Sequence, residues 1–253
     1  MNYLDIHAHF ADEGYEFPAE WEKIQAAGVR TVVLAGDNVL HSAMHRDFCT
    51  GRAGAYFTAG VHPSETADFG KQTLDKIEAL AGEEKCVAIG EIGLDYHYPD
   101  TNEPVQKRAF VAQLELASAL NLPVQIHSRD AAADTLALLR ENKTLLKNGF
   151  LLHCYSYGKE LMRDFLSLGA YFSFGGVVCF KNARRAAESA ALCPQDRILS
   201  ETDSPYLSPF RGEKNTPANI PVIVEKLAQI RGEREEELAA AIERNAHALC
   251  KKL

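Results

Sequence analysis

Short apolar runs alternate with longer amphipathic segments along the chain, and this alternation constrains the fold more than any other feature of the sequence. Eight runs rich in Val, Ile, Leu and aromatic residues can be placed, at residues 3–6, 31–35, 56–61, 87–92, 124–126, 150–152, 170–174 and 198–200. Each is followed by a segment with helical spacing, which is typical of repeated β-α units around a parallel sheet. Because eight such units favour closure of the sheet, we predict an α/β fold of the TIM type, a (β/α)8 barrel.

The segments between these runs carry the spacing of surface helices. Phe110, Leu114 and Ala117 share one face of a helix predicted at residues 103–121, and Pro123 follows its end. Residues 220–253 are predicted to form two helices separated at residues 231–233. A length of 253 residues, of which 46% are hydrophobic, suits one barrel, so we predict a single domain over residues 1–253.

Charge and composition exclude several classes of protein. The formal net charge of -8 argues against a protein that coats nucleic acid through bulk electrostatics, so a polyanion has to be bound locally. No apolar run approaches the roughly 18 residues that cross a bilayer, and the amino-terminal sequence does not resemble a signal peptide. The six cysteines form no CxxC pair and are expected to be reduced. We therefore expect a cytoplasmic protein with no membrane association and no obligate protein partner.

Histidine and acidic residues cluster where the predicted strands end. They are His7 and His9 after the first run, His62 after the third, Glu91 and Asp95 at the fourth, His127 after the fifth, His153 after the sixth and Asp203 after the eighth. The carboxyl ends of barrel strands converge on one face, where active sites are built. Any one of these residues alone is more simply a hydrogen-bonded core histidine or a turn cap. Their coincidence at one face favours a metal site.

The number of potential ligands indicates more than one ion. His7 and His9 are two residues apart on an extended segment, so both imidazoles face the same side and can bind one ion. Four imidazoles and two carboxylates exceed what one tetrahedral ion needs, which suggests two divalent ions about 3.5 to 4 Å apart with a shared ligand. Glu91 is the natural bridge, and Asp203 could both bind metal and accept a proton from the attacking water. Mg, Mn and Zn all remain possible.

Six motifs resemble those of a known family. They are Asp5-Ile6-His7-Ala8-His9, Gly60-Val61-His62-Pro63, Gly90-Glu91-Ile92-Gly93-Leu94-Asp95-Tyr96, Gln125-Ile126-His127-Ser128-Arg129, His153-Cys154-Tyr155-Ser156 and Glu201-Thr202-Asp203-Ser204-Pro205-Tyr206. In this order they strongly resemble the TatD-like deoxyribonucleases, which are metal-dependent β/α-barrel hydrolases of the amidohydrolase superfamily. The resemblance runs from residue 5 to about residue 217.

The resemblance implies a site and an activity. The implied ligands are His7, His9, Glu91 and Asp203 for one ion, and Glu91, His127 and His153 for the other. His62 is implied to contact the substrate phosphate, so that Asp203, Glu91 and His62 form the catalytic set. The implied activity is exonuclease-type hydrolysis of DNA by a water activated between two metals. A single strand or a frayed end is the expected substrate, because an intact duplex is too wide to enter a barrel mouth.

Further residues after the strand ends are candidates for substrate contacts. The candidate phosphate contacts are Arg129, Lys181, Arg184, Arg211 and Lys214. The candidate stacking rings are Tyr96, Tyr155, Phe180 and Tyr206. Solvated surface charge and core packing are the simpler explanations for these two sets, and they stay open at this point.

Two other functions remain open. A related amidohydrolase acting on a small phosphoester, amide or lactone could use the same kind of site. That class often bridges its metals with a carboxylated lysine, whereas here Glu91 takes that place. A non-catalytic metal-binding scaffold is the second alternative, and the complete set of ligands weighs against it.

Overall fold

The computed structural model describes residues 1–10 and 17–253 and contains one parallel sheet with its eight strands in sequence order. The strands are β1 Tyr3–Ala8, β2 Val29–Leu34, β3 Ala55–Ala59, β4 Cys86–Asp95, β5 Val124–Arg129, β6 Phe150–Leu152, β7 Ala170–Phe174 and β8 Ile198–Ser200. The last strand returns to the first, since Ser200 Oγ donates to Leu4 O at 2.7 Å. The prediction of a TIM-type barrel is confirmed.

Helices follow the strands around the outside. They are α1 Phe17–Ala26, α2 Val39–Cys49, α3 Lys71–Ala81, α4 Glu103–Leu120, α5 Ala132–Glu141, α6 Lys159–Leu166, α7 Arg184–Leu192, α8 Ile220–Arg231 and α9 Glu235–Leu249. Helix α4 ends at Leu120, one residue before the predicted end at residue 121, because Asn121 has a φ of 57° that stops the helical path. Gly232, with a φ of 66°, separates α8 from α9 as predicted. None of the described helices is long and apolar enough to cross a membrane.

The strands and the inward faces of the helices share one apolar core. Phe57, Phe172 and Ile126 from the strands are fully buried, and so are Phe110 and Leu114 from α4, as their spacing predicts. Buried polar side chains are concentrated toward the carboxyl ends of the strands. The core therefore holds the barrel rigid around one polar face.

Strand β4 is longer than the sequence predicts. The apolar run ends at residue 92, whereas the strand continues to Asp95, which pairs with Arg129 of β5. Gly93 allows the strand to continue beside β5. It has a φ of 144°, and a Cβ there would lie 2.0 Å from His127 O. The close approach of β5 therefore requires glycine at this position.

Candidate metal centre and active site

The carboxyl ends of β1 and β4 and the loop after β8 bring four donor side chains together. His7 Nε2 lies 3.2 Å from His9 Nε2, 3.4 Å from Glu91 Oε2 and 3.8 Å from Asp203 Oδ1. His9 Nε2 lies 3.5 Å from both Glu91 Oε2 and Asp203 Oδ1. Metal–ligand bonds of about 2.0 to 2.2 Å in a tetrahedral arrangement separate neighbouring donors by roughly 3.4 Å. The spacing of these donors is that of ligands around a single ion.

A second group forms around the other oxygen of Glu91. His127 Nδ1 and His153 Nε2 each lie 2.8 Å from Glu91 Oε1, and 3.1 Å from one another. Glu91 therefore presents Oε2 to the first group and Oε1 to the second. Its side chain is only 4% exposed, so both oxygens are committed to these neighbours.

Neighbouring side chains fix which ring nitrogens face the site. Gln125 Nε2 donates to Ile6 O at 2.9 Å, so its Oε1 accepts from His7 Nδ1, also at 2.9 Å. His7 Nε2 is then the nitrogen that faces Glu91, 3.4 Å from Oε2. Asp95 Oδ2 accepts from His127 Nε2 at 3.1 Å, which in the same way leaves Nδ1 facing Glu91 Oε1 and available to metal once its proton is displaced. Both histidines are oriented as metal ligands.

The electrostatics of the site also fit a cation. Burial lowers the pKa of His9, but its hydrogen bond with Asp203 and the charge of Glu91 outweigh burial and raise the pKa to about 9. Burial also lowers the pKa of His153, and there the charge of Glu91 raises it well above its ordinary value. Burial raises the pKa of Glu91, yet His153 and other imidazoles hold it well below its ordinary value. Protons on imidazoles thus balance the carboxylates, and divalent ions would replace those protons.

His62 lies beside the second group, and its donor atoms are within 4.8 Å of those of Asp95 and His127. Its Nδ1 accepts from Ser64 N at 3.1 Å, which places the proton on Nε2, 3.7 Å from Glu91 Oε1. Burial lowers its pKa to about 3, so the ring is neutral. Gln113 Oε1 accepts from Val61 N at 2.8 Å, and its Nε2 donates to Val61 O at 3.1 Å, so α4 fixes the preceding backbone. His62 can therefore donate a hydrogen bond to an oxygen beside the second group.

Three residues contact the ligand histidines in a way that the sequence does not predict, although it does place Asp95 in the cluster at the strand ends. Gln125 and Asp95 orient His7 and His127 as described above. Glu201 is fully buried, accepts from Ser173 Oγ at 2.5 Å and has Oε2 3.7 Å from His153 Nδ1. Each of these residues lies within one of the motifs or beside a ligand in sequence. Each of these residues is far from its histidine partner along the chain, so the contact between them can be recognised only in the folded barrel.

The basic residues with predicted phosphate contacts are exposed on or after the carboxyl ends of β5, β7 and β8. They are Arg129, Lys181, Arg184, Arg211 and Lys214. Arg129 lies over the ring of Tyr98, with Cζ 5.8 Å from the ring centroid. Arg184 Nε donates to Glu188 Oε1 at 2.8 Å.

One predicted substrate contact is wrong. Tyr155 is 3% exposed, its hydroxyl donates to Gly158 O at 2.9 Å, and its ring packs edge-on against Phe172. A ring in this position belongs to the core and cannot stack on a base. Tyr206, in contrast, is 54% exposed, with its ring centroid 6.4 Å from that of His9.

The other two candidate rings differ in exposure. Phe180 is 37% exposed, whereas Tyr96 is partly buried and its hydroxyl donates to Asp134 Oδ2 at 2.9 Å. Tyr96 is thereby held on the side of α5, away from a stacking role.

The sequence and the fold are both similar to those of known proteins. The sequence matches the family described as TatD related DNase over residues 4–251. It is 35% identical to the uncharacterized metal-dependent hydrolase YabD of Bacillus subtilis (strain 168), over 97% of this chain and 98% of that protein. It is 37% identical to the 3'-5' ssDNA/RNA exonuclease TatD of Cronobacter sakazakii, over 88% of each. The crystal structure of the TatD homolog YjjV from Escherichia coli K12 superposes with a TM-score of 0.93 at 25% identity, covering 98% of each chain.

Proposed function

The chain belongs to the TatD related DNase family, and from this we propose that it is an exonuclease that hydrolyses single-stranded DNA with two divalent ions. Family membership makes it a metal-dependent hydrolase of the DNase type. The observation that carries the proposal is Glu91, whose two oxygens each face a separate group of imidazoles. We propose that the whole chain forms the one hydrolase domain.

Two sets of residues would hold the ions. His7, His9, Glu91 and Asp203 would hold one, and Glu91, His127 and His153 the other. Four imidazoles suit Zn or Mn, and the shared carboxylates also accommodate Mg. When bound, such ions neutralise the charge of the phosphate and make hydroxide available near neutral pH.

The chain itself supplies the proton transfers. Burial raises the pKa of Asp203, but its hydrogen bond with His9 and nearby imidazole charges hold the pKa below its ordinary value. Asp203 is therefore ionised at neutral pH, and with 15% of its side chain exposed it can accept a proton from the attacking water. His62 donates a hydrogen bond from its Nε2–H to a phosphate oxygen beside Glu91 and stabilises the charge that develops there.

The substrate assignment rests on the relatives and on the charge distribution. A relative of 37% identity is named as a 3'-5' exonuclease of single-stranded DNA and RNA, and we propose the same direction here. The net charge of -8 repels a polyanion at long range, so binding relies on Arg129, Lys181, Arg184 and Arg211 near the site. Only a single strand or frayed end brings a backbone phosphate to Glu91.

The test compares substrates on the protein supplied with Mn²⁺ or Mg²⁺. A 5'-labelled single-stranded oligonucleotide should shorten from its 3' end, and a blunt duplex should be degraded more slowly. Glu91→Gln should abolish this reaction, because it keeps the shape but removes the charge shared by both groups. Glu236→Gln, an exposed glutamate of α9, is the matched control and should keep wild-type activity.

Two results would contradict the proposal. Hydrolysis of a small amide or lactone with no cleavage of any oligonucleotide would favour the amidohydrolase alternative. Full activity of Glu91→Gln, with normal circular dichroism, would remove Glu91 from the reaction.

A further inference from the structure

A polar cavity lies directly beside the second ligand group. It has a volume of about 410 Å³ and opens between the loop after β3 and the loop after β4, with Asp95 and Ser64 in its wall. Asp95 Oδ2 contacts His127 Nε2 at 3.1 Å, and Ser64 Oγ lies 2.8 Å from His62 Nδ1. A single side chain, that of His62 or His127, therefore separates the wall of the cavity from the position proposed for the reacting phosphate. Its volume is within the range of small-molecule sites, about 300 to 1,000 Å³.

The lining of this cavity disfavours phosphate. No arginine or lysine is among the described residues that line it, whereas Asp95 and Asp100 are. A phosphate placed there would face negative charge, since the guanidinium of Arg129, which lies over the ring of Tyr98, is not part of the lining. An uncharged group such as a nucleobase with its sugar is the better occupant.

Three polar side chains of the lining, those of Thr66, Thr101 and Gln106, are already bonded to backbone groups. Thr66 Oγ1 donates to Pro63 O at 2.8 Å, and Thr101 Oγ1 donates to Tyr98 O at 2.7 Å. Gln106 uses both ends of its amide on the backbone of Asp95. These groups have little capacity left to distinguish base edges. Tyr98, which is 57% exposed, offers an aromatic face that accepts any base.

The charge across the barrel mouth gives the strand a direction. Lys181, Arg184 and Arg211 are exposed in the segments after β7 and β8, which lie opposite β3 and β4 in a barrel with strands in sequence order. Phosphates of the remaining strand are attracted to that basic side. The cavity lies on the other side of Glu91, where a strand terminus has a nucleoside but no further phosphate.

We propose that this cavity, the terminal-nucleoside subsite, binds the nucleoside part of the terminal nucleotide that hydrolysis releases, by stacking its base on Tyr98 without reading its identity. The proposal rests on the exonuclease function proposed above. It accounts for how an acidic protein can bind the end of a polyanion: the uncharged terminus occupies the acidic side, and the charged body of the strand occupies the basic side.

The test removes the base and the ring separately. Single-stranded oligonucleotides ending in thymidine or in an abasic tetrahydrofuran residue are cleaved with Mn²⁺ by the wild type, Tyr98→Ala and Tyr98→Phe. For the wild type, KM should be roughly 5- to 150-fold higher with the abasic terminus, the effect of losing one base–aromatic stack. Tyr98→Phe should keep this ratio, and Tyr98→Ala should bring it near unity. Tyr171→Ala, which removes a tyrosine stacked under Arg197 at the opposite end of the barrel, should keep the wild-type ratio.

A second measurement tests the acidic lining. A 3'-phosphate on the terminal nucleotide should raise KM for the wild type, and Asp100→Asn should reduce that penalty because it removes one lining carboxylate. Cleavage with equal KM for base and abasic termini would overturn the subsite and leave the proposed function standing. Failure of the wild type to cleave any oligonucleotide would overturn both.

Discussion

Replacing Asp95 with asparagine tests whether the second ligand group is arranged to bind a cation. Asp95 Oδ2 accepts the Nε2 proton of His127, and Oδ1 accepts from His97 N at 2.9 Å. In the variant the backbone N–H of His97 retains the amide oxygen, so the amide NH₂ faces His127. A donor at that position favours the tautomer with its proton on Nδ1, where it blocks the nitrogen that faces Glu91.

The size of the effect follows from the contact that is lost. Removing a hydrogen-bond partner of a ligand histidine lowers metal affinity by about 10- to 100-fold, or about 1.4 to 2.7 kcal/mol. The first group should lose little, because His7 has its own partner in Gln125. Calorimetric titration of metal-free protein with Mn²⁺ or Zn²⁺ should show two classes of site in the wild type, with only one of them weakened in Asp95→Asn.

Asp130→Asn provides the matched control. Asp130 Oδ2 lies 3.0 Å from His97 Nδ1 at the exposed rim, so the substitution makes the same change of charge close to Asp95 without touching a ligand. Asparagine also tolerates the φ of 53° at this position. Equal weakening by both substitutions would mean that net charge, and not the orientation of His127, sets the affinity. Unchanged binding in Asp95→Asn would refute the orientation argument.

Two further predictions follow from the geometry. Because the pKa of metal-free His9 is raised to about 9, metal binding must displace its proton, so affinity should rise with pH and level off above that value. The raised pKa of His9 also stabilises the metal-free fold: the stabilisation is complete below the unfolded pKa of about 6.5 and is lost as pH rises through the folded pKa. Protein in EDTA should therefore melt at a lower temperature at pH 9.5 than at pH 6. A metal affinity and a melting temperature that are both independent of pH would contradict this account. Gln113→Leu should lower the free energy of unfolding in urea by about 1 to 3 kcal/mol for each unsatisfied backbone group of Val61, and should reduce kcat because His62 loses its support. Gln229→Leu, at an exposed position of α8, should change neither, and equal effects of the two substitutions would exclude a specific role for Gln113.

The barrel and its ligands could be predicted because both depend on local patterns. Alternating apolar runs fix the order of strands and helices, and parallel strands in a barrel end at one face whatever their distance along the chain. His7 and His9 meet for a local reason, since alternate residues of a strand share a side. Glu91 could be identified as the shared ligand from its central place in a glycine-flanked motif, and its two oxygens do face the two groups.

The position of Tyr155 could not be predicted, because it depends on the backbone just before it. Cys154 has a φ of 45°, which turns the chain so that Tyr155 N donates to Ser173 O at 3.0 Å. The ring then packs against Phe172 instead of facing the barrel mouth. An aromatic residue after a strand carries no sequence signal that separates these two outcomes.

The buried glutamines show a signal that the sequence does contain. Gln106 and Gln113 are seven residues apart and lie on the buried face of α4. Each bonds through both ends of its amide to the backbone of a single residue, Asp95 and Val61 respectively. A polar residue repeated on an apolar helical face has to find partners there, so the pattern indicates a helix that holds functional loops.

The two ions of the proposed function also fit the charge of the buried carboxyl groups. Glu91, Asp95, Asp203 and Glu201 lie in or against the two ligand groups, and their side chains are between 0% and 15% exposed. Asp5 does not add to this charge at neutral pH, because burial raises its pKa to about 8. Once metal has displaced the imidazole protons, one divalent ion would leave a net negative charge buried among neutral rings, which costs several kcal/mol per ion. Two divalent ions would balance the four carboxylates, so weakening the second group at Asp95 should bring protons back onto the remaining imidazoles.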